Sequence, residues 1–207
     1  MDTLRVSCPW DSQQTHESLL KYLLEEAYEA ADAIESGDSA AMCEELGDVM
    51  FQVFFHARVA AERPAAEGGF TIDDVAATLA AKLIRRHPHV FGSVTVASAD
   101  EVNANWEEIK KTERAAKAAA GDAPAPSSLD GVPFGQPALS LAAQLQRRAT
   151  RAGIDVPLPA SADGAASIGD ELMALVARAR AAGVDPELEL RAAARRYADA
   201  VREQERA

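Results

Sequence analysis

Cysteine, aromatic side chains and basic charge are all scarce in this sequence, and each shortage removes a class of answer. Cys8 and Cys43 are the only cysteines among 207 residues and form no CxxC pair, which fits a reducing, cytoplasmic setting better than a disulfide framework. Neither has an evident activating base beside it, so thiol nucleophilic catalysis is not expected. The formal net charge of −12 leaves no basic stripe of the kind duplex binders need, and no nucleic-acid partner is expected. A phosphate ligand would then require a local basic cluster or a metal. No run of 18 apolar residues occurs, and the opening MDTLRVSCPWD lacks the apolar stretch of a secretion signal. The expectation is a protein that neither spans a membrane nor is exported. Sustained period-two alternation is also missing; SVTV at 93–96 is the one candidate strand. Hydrophobic residues make up 48% of the chain but aromatics only 5%, an alanine-rich balance suited to close-packed helices.

Helical periodicity fills the space left by strands. Leu20, Leu23, Leu24, Ala27, Ala31 and Ile34 follow the i, i+3, i+4, i+7 rule and predict an apolar stripe, with Thr15 or Asp11 capping the start and Gly37 marking the stop. A second helix is expected over roughly 39–62, with Leu46, Val49, Met50, Val53 and Ala57 as its core stripe. Thr71 with Asp73 and Asp74 opens a third, over roughly 72–87, that halts before Pro88. Ser98 with Glu101 has the capping-box pattern for a fourth, running to about 119. GDAPAPSS at 121–128 reads as a linker, followed by a helix near 137–152, a loop to about 166, and two further helices. The chain therefore divides into residues 1–120, the linker, and 129–207. SIGDELMALVARARAA at 167–182 can be laid on ELGDVMFQVFFHARVA at 45–60, with Ser167 standing where Glu45 does.

The second helix poses a chemical question, because Glu44, Glu45 and Asp48 lead into a nearly all-apolar segment. Buried carboxylates are costly unless a cation compensates them. Each helical residue turns the face by about 100°, so Glu26 and Glu29 lie about 60° apart on one flank of the first helix, beside Tyr22, Ala30 and Ala33. Glu45 and Asp48 share a flank of the second with Gln52, and Gly47 removes bulk between them. Two antiparallel helices joined by a short turn can face these four carboxylates toward each other. Hard Mg²⁺ favours oxygen ligands and keeps water and substrate phosphates in its remaining positions. One such pair alone would read as a solvated helix face. A di-iron bundle fits poorly, since no Glu has His three residues later.

CPWDSQQTHESLLKYLLEEAYEAADAIE, EELGDVMFQVFFHARVA, KLIRRHPHVFG and NWEEIKK together resemble the MazG family of nucleoside triphosphate pyrophosphohydrolases, across roughly residues 8–113. LDGVPFGQPAL and the Leu-Gln-Arg-Arg helix resemble the segment joining the two MazG units of longer members. The resemblance implies an all-α bundle with a shortened, degenerate C-terminal repeat. It also implies a homodimer or higher homo-oligomer, and cleavage of nucleoside triphosphates to monophosphate and pyrophosphate with Mg²⁺, or Mn²⁺ as a substitute. The family's metal ligands fall on Glu26 and Glu29 of EExxE and on Glu45 and Asp48 of ExxD. Glu25 matches the motif from the solvated flank. Family nucleotide contacts fall on Lys82, Arg85 and Arg86 of KLIRR and on Trp106 and Lys110 of NWEEIKK. Taken by themselves, KLIRR reads as a helix C-terminus favoured by its dipole and Trp106 as core. Ala41, Met42 and Cys43 stand where relatives often carry a lysine. In the C-terminal unit only Asp170 survives of the acidic motif, and Arg195 and Arg196 do not reproduce the KLIRR spacing.

The expected chemistry is metal-assisted attack of water at the α-phosphorus, with Glu25 or Glu29 accepting the proton and the basic residues meeting the phosphates. Two other readings stay open. One is an acidic helical module that binds a metal or partner with catalysis weak or lost; the other is an all-α pyrophosphatase specific for one dNTP. Trp10 is expected to pack on the bundle with Asp11 capping, His56 to be a hydrogen-bonded core histidine, and His87 and His89 to be structural. His16 carries no signal of its own.

Overall fold

The structure, a computed structural model, describes residues 1–119, 127–157 and 167–207. Its helices are α1 (Asp2–Ser7), α2 (His16–Ser36), α3 (Ser39–Ala60), α4 (Ile72–Arg86), α5 (Pro88–Phe91), α6 (Ala99–Ala119), α7 (Ala138–Arg151), α8 (Ile168–Ala181) and α9 (Pro186–Arg206). The fold is all-α, and SVTV forms no strand. Helices α1 and α5 were not foreseen, being too short to show a period. Contacts divide the chain into Met1–Ile109 and Lys110–Ala207, a division that falls inside α6. Residues 121–126 of the expected linker lie outside the described residues, as do 158–166 of the later loop.

Local chemistry sets the helix ends. Thr15, not Asp11, caps α2: its hydroxyl accepts from the Ser18 N–H at 3.2 Å, and the Ser18 hydroxyl accepts from the Thr15 N–H at 2.9 Å, so two N–H groups that α2 leaves without a helical partner are met. Gly37 ends that helix at φ 74°, a left-handed conformation that a side chain would strain. Asp38 then caps α3 through the Ala40 and Ala41 N–H groups. Thr71 and Asp74 form the reciprocal box on α4. Ser98 accepts from the Glu101 N–H, while the Glu101 carboxylate reaches the N–H of Ala97 rather than that of Ser98.

The turn at Gly37–Asp38 folds α2 and α3 into an antiparallel hairpin, the main packing of the first unit. Buried there are Leu19, Ala30 and Ala33 of α2 and Gln52, Phe55, Ala57 and Ala60 of α3. The expected stripes are mostly elsewhere: Leu24 is 51% exposed and Met50 57%, and Leu20, Ile34, Leu46 and Val53 also face outward. Small alanines let the two backbones approach, so the alanine-bearing flank packs inward and the leucine-rich stripe is left over. A Cβ on Gly47 would meet nothing within 4 Å, so that glycine is not needed for the approach.

An arginine clasp closes the far end of the hairpin. Arg5 of α1 donates to both carboxylate oxygens of Glu62 at 2.7 and 2.9 Å, and to the carbonyls of Asp11 and Gln14. Arg58 adds bonds to Glu62 at 3.1 Å and Asp2 at 2.7 Å. These contacts, the Arg5 hydrogen bond foremost, hold the Glu62 carboxyl below the usual range despite partial burial. A lowered carboxyl stabilises the fold above its unfolded value, and that stabilisation is lost as pH falls through the folded one. Arg5→Ala should cost about 2 kcal/mol, since the charged bonds end at a half-exposed carboxylate. It should also flatten the acid side of the stability profile; denaturant melts of both proteins across the acid range would check this.

In the second unit, Ala142 and Ala143 of α7 and Val176 of α8 form the core, with Leu139 and Met173 packed against it. Gln146 donates to the Met173 carbonyl at 2.9 Å, tying the two helices. Ser167 is the N-cap of α8, and the Asp170 carboxylate accepts from both the Ser167 N–H and its hydroxyl at 2.8 Å. The residue aligned with Glu45 therefore begins a helix instead of standing within one. The surviving acid is committed to its cap.

Candidate active site

The α2–α3 hairpin carries the acidic residues where the two backbones are close. Glu26 and Glu29 project from α2 and Glu45 from α3, each offering a carboxylate oxygen within 4.8 Å of the others. Asp48 lies outside that triplet but acts on it, pressing by charge on both Glu26 and Glu45. Burial first, then Asp48 and Glu29, pushes the Glu26 carboxyl above its usual range. Glu45 is raised by burial and by Glu29, Asp48 and Glu44. Like charges this close resist joint ionisation. All donors are hard oxygens with no nitrogen or sulfur in the cluster, so the set suits a hard divalent cation. Glu25 faces solvent beside it.

One turn along the same flanks the surface changes from acidic to aromatic. Tyr22 precedes Glu26 by one turn on α2, and Gln52, 4% exposed, follows Asp48 by one turn on α3. Trp10 packs edge-on against Tyr22, at 5.6 Å between ring centroids, and against Phe55 at 6.4 Å. Trp10 thus packs on the bundle as expected. Asp11 is buried, with its backbone carbonyl accepting from Arg5.

The basic segment lies on α4, which packs against α3. Lys82 and Arg86 are half-buried and Arg85 is exposed. Trp106 of α6 meets the end of this segment, its ring 5.6 Å from that of His87. His87 in turn donates Nδ1–H to the Leu83 carbonyl at 2.7 Å, which ties it to the end of its own helix, and contacts His89 at 5.6 Å between centroids; the buried His89 Nδ1 has no hydrogen-bond partner. Lys110 lies one turn past Trp106 on α6, beyond the division between the units.

Two pairings carried no sequence signal: the arginine clasp and a histidine pair. His16 and His56 approach Nδ1 to Nδ1 at 2.8 Å, with centroids 5.2 Å apart and planes 6° apart. With the nitrogens so close and the centroids so far, the rings lie edge to edge in one plane, joined by an N–H···N bond rather than stacked. His56 is the hydrogen-bonded histidine anticipated, held below its usual range by burial and by His16. Cys8 is half-buried and Cys43 exposed. No helix among the described residues is long and apolar enough to cross a membrane.

Comparison with known proteins bears on this arrangement. Residues 14–91 match the MazG nucleotide pyrophosphohydrolase domain. An uncharacterised 26.1 kDa protein of Streptomyces cacaoi is 48% identical over 202 residues, covering 98% of this chain and 78% of its own length. The nucleoside triphosphate pyrophosphohydrolase of Mycolicibacterium smegmatis is 46% identical over 208 residues, and the chain spans only 57% of that relative. The nucleoside triphosphate pyrophosphohydrolase/pyrophosphatase MazG of Thermotoga maritima is 38% identical over 216 residues, covering 96% of this chain and 79% of its own. The matched segment contains Glu26, Glu29, Glu45 and Asp48 of the α2–α3 hairpin and Lys82, Arg85 and Arg86 of α4. The chain belongs to the MazG nucleotide pyrophosphohydrolase family.

Proposed function

We propose that this chain hydrolyses nucleoside triphosphates, ribo or deoxy, between the α and β phosphorus, releasing nucleoside monophosphate and pyrophosphate. The observation that carries the reading is the convergence of Glu26, Glu29 and Glu45 from two helices to within 4.8 Å, with Asp48 beside them. These four would hold Mg²⁺, or Mn²⁺ in its place. The metal when bound supplies neutralisation of phosphate charge and a lowered pKa for water. Glu25 and Glu29 are the carboxylates offered to take the proton from the attacking water, one solvent-facing and one within the cluster. Lys82, Arg85 and Arg86 donate to phosphate oxygens, arginine through paired bonds and lysine as a point charge. Trp106 offers a flat apolar face for the base, and Lys110 a further cation.

The leftover apolar stripe of the hairpin supports assembly with a second copy of the chain. Removal of aberrant or excess nucleotides is the proposed physiological use. One experiment tests the chemistry: purified protein incubated with ordinary and damaged NTPs and dNTPs, with Mg²⁺ or EDTA. NMP, pyrophosphate and orthophosphate would be measured separately. Metal-dependent NMP with pyrophosphate is expected. Diphosphate with orthophosphate would mean that a different bond is cut, and no turnover with Mg²⁺ still bound would favour a binding module.

A further inference from the structure

One hydrogen bond between His16 and His56 ties the first turn of α2 to the later part of α3, at the end of the hairpin away from Gly37. The two Nδ1 atoms are 2.8 Å apart and the ring centroids 5.2 Å, with the planes 6° from parallel. That centroid distance is about as long as the nitrogen spacing allows, so each Nδ1 points straight at the other. A metal ion needs about 2.0–2.1 Å to each imidazole nitrogen, and at this spacing it would stand well off both lone-pair axes. The gap suits a proton instead.

The number of protons on the pair decides whether the bond exists. Two neutral imidazoles carry one N–H each, and the closed pair places one of these between the Nδ1 atoms. The other then sits on Nε2 of whichever ring accepts. His56 Nε2 is buried without a hydrogen-bond partner, whereas His16 Nε2 is not among such atoms of the described residues. A buried N–H left unmet is the costlier arrangement, so His56 donates with its Nε2 bare and His16 accepts. A further proton has no good place in this arrangement. On His56 Nε2 it makes a buried N–H with no acceptor, and on His16 Nδ1 it sets two N–H groups head to head. Burial first, and then the facing His16, accordingly hold His56 below the usual histidine range, with no charge from α1, α4 or elsewhere in the described residues adding to them. Beside His16, Glu17 is engaged first with its own backbone N–H and the Thr15 hydroxyl, and then feels the charges of His16 and Arg63. Arg5, Arg58, Glu62 and Asp2 at the same end answer one another. A protonated His16 that leaves the pair therefore has a carboxylate next to it.

We propose that His16 and His56 form a proton-operated latch, closed while both rings are neutral and opened when the pair takes up a proton as pH falls. The Gly37 turn holds the other end of the hairpin, so opening is confined to the end where Trp10 rests on Phe55. The test is NMR of the full chain with nitrogen-15 in its histidines, followed from pH 8 to pH 5. At pH 8 a through-bond coupling should join the two Nδ1 nitrogens, with the proton on Nδ1 of His56 and on Nε2 of His16. On acidification the coupling should vanish as the signals of both rings change together at one midpoint. His16→Ala, at a half-exposed position where folding is not at stake, should move the His56 transition to higher pH, because the facing ring is gone. Thermal melts give an independent readout. A histidine held low contributes stability that is complete above its unfolded value and is lost as pH falls toward its folded one. Wild type should therefore melt about 2–4 °C above His16→Ala at pH 8, the worth of one hydrogen bond in a chain of this size, and the gap should close by pH 5. The latch is overturned if the coupling is absent at pH 8 or persists through protonation. It is equally overturned if His56 titrates alike in wild type and His16→Ala, or if the melting gap is the same at both pH values, as a bond without a switch would give.

Discussion

Glu45→Gln is expected to lower turnover by at least about a thousandfold while making the metal-free protein more stable. The two effects have one cause. Glu45 sits among Glu29, Asp48 and Glu44, and burial together with those charges raises its carboxyl above the usual range. A carboxyl raised in the folded state leaves stability undiminished below its unfolded value. Stability then declines as pH rises, until the group is fully ionised above its folded value. Glutamine keeps the shape and removes the charge, so at neutral pH the metal-free variant should melt higher than wild type. Its melting temperature should also depend less on pH through the carboxylate range. Divalent cation reverses the order: wild type should gain stability from Mg²⁺ and the variant should gain little. Metal-borne charge stabilisation at the transition state is worth several kcal/mol, and each ~1.4 kcal/mol is a factor of ten in rate. Glu26→Gln should follow the same pattern, since Glu26 is raised by burial and by Asp48 and Glu29. Turnover near the wild-type rate, with an unchanged Mg²⁺ shift, would remove these carboxylates from the chemistry.

The approach of Glu26, Glu29 and Glu45 was legible because its signal is local, while Asp48 falls outside the triplet. Pairs at i, i+3 on two helices joined by a short turn leave few ways to separate them, and the hairpin brings three within 4.8 Å. Helix ends were legible for the same reason: Thr15, Thr71 and Gly37 act on residues at most four positions away. The direction of the apolar stripes was not. Periodicity shows that Leu20, Leu24 and Ile34 share a face, but not whether that face meets α3 or something outside the chain. The alanine flank, with less apolar area but a closer approach, packs inside. Long-range polar pairs were invisible too. Arg5 and Glu62 are 57 positions apart and His16 and His56 are 40, and neither pair has a pattern that spacing could reveal. The reuse of Ser167 and Asp170 as a capping box shows the converse case, where an aligned motif remnant caps a helix start.

The exposed stripe leads to the second large effect. Leu20, Leu24, Tyr28 and Ile34 on α2 and Leu46, Met50, Val53 and Phe54 on α3 all face outward, more apolar surface than two packed helices ordinarily leave to water. Two such hairpins can bury these side chains against each other as a four-helix bundle. Wild type should therefore sediment as a dimer or larger. Leu24→Glu combined with Met50→Glu should raise the dissociation constant by about a thousandfold or more, because each lost apolar anchor is worth about 1.5–3 kcal/mol and each unpaired carboxylate pressed into an interface costs more. Circular dichroism should stay helical, since neither side chain is buried within the hairpin. A wild type that sediments as a monomer at micromolar concentration, or a variant that assembles unchanged, would reject the bundle. Activity then separates two versions of the assembly. The carboxylates lie within one hairpin, so a monomeric variant that still hydrolyses substrate would confine the partner's role to stability. Loss of turnover in step with dissociation, in wild type upon dilution as well as in the variant, would mean that the second copy completes the nucleotide site.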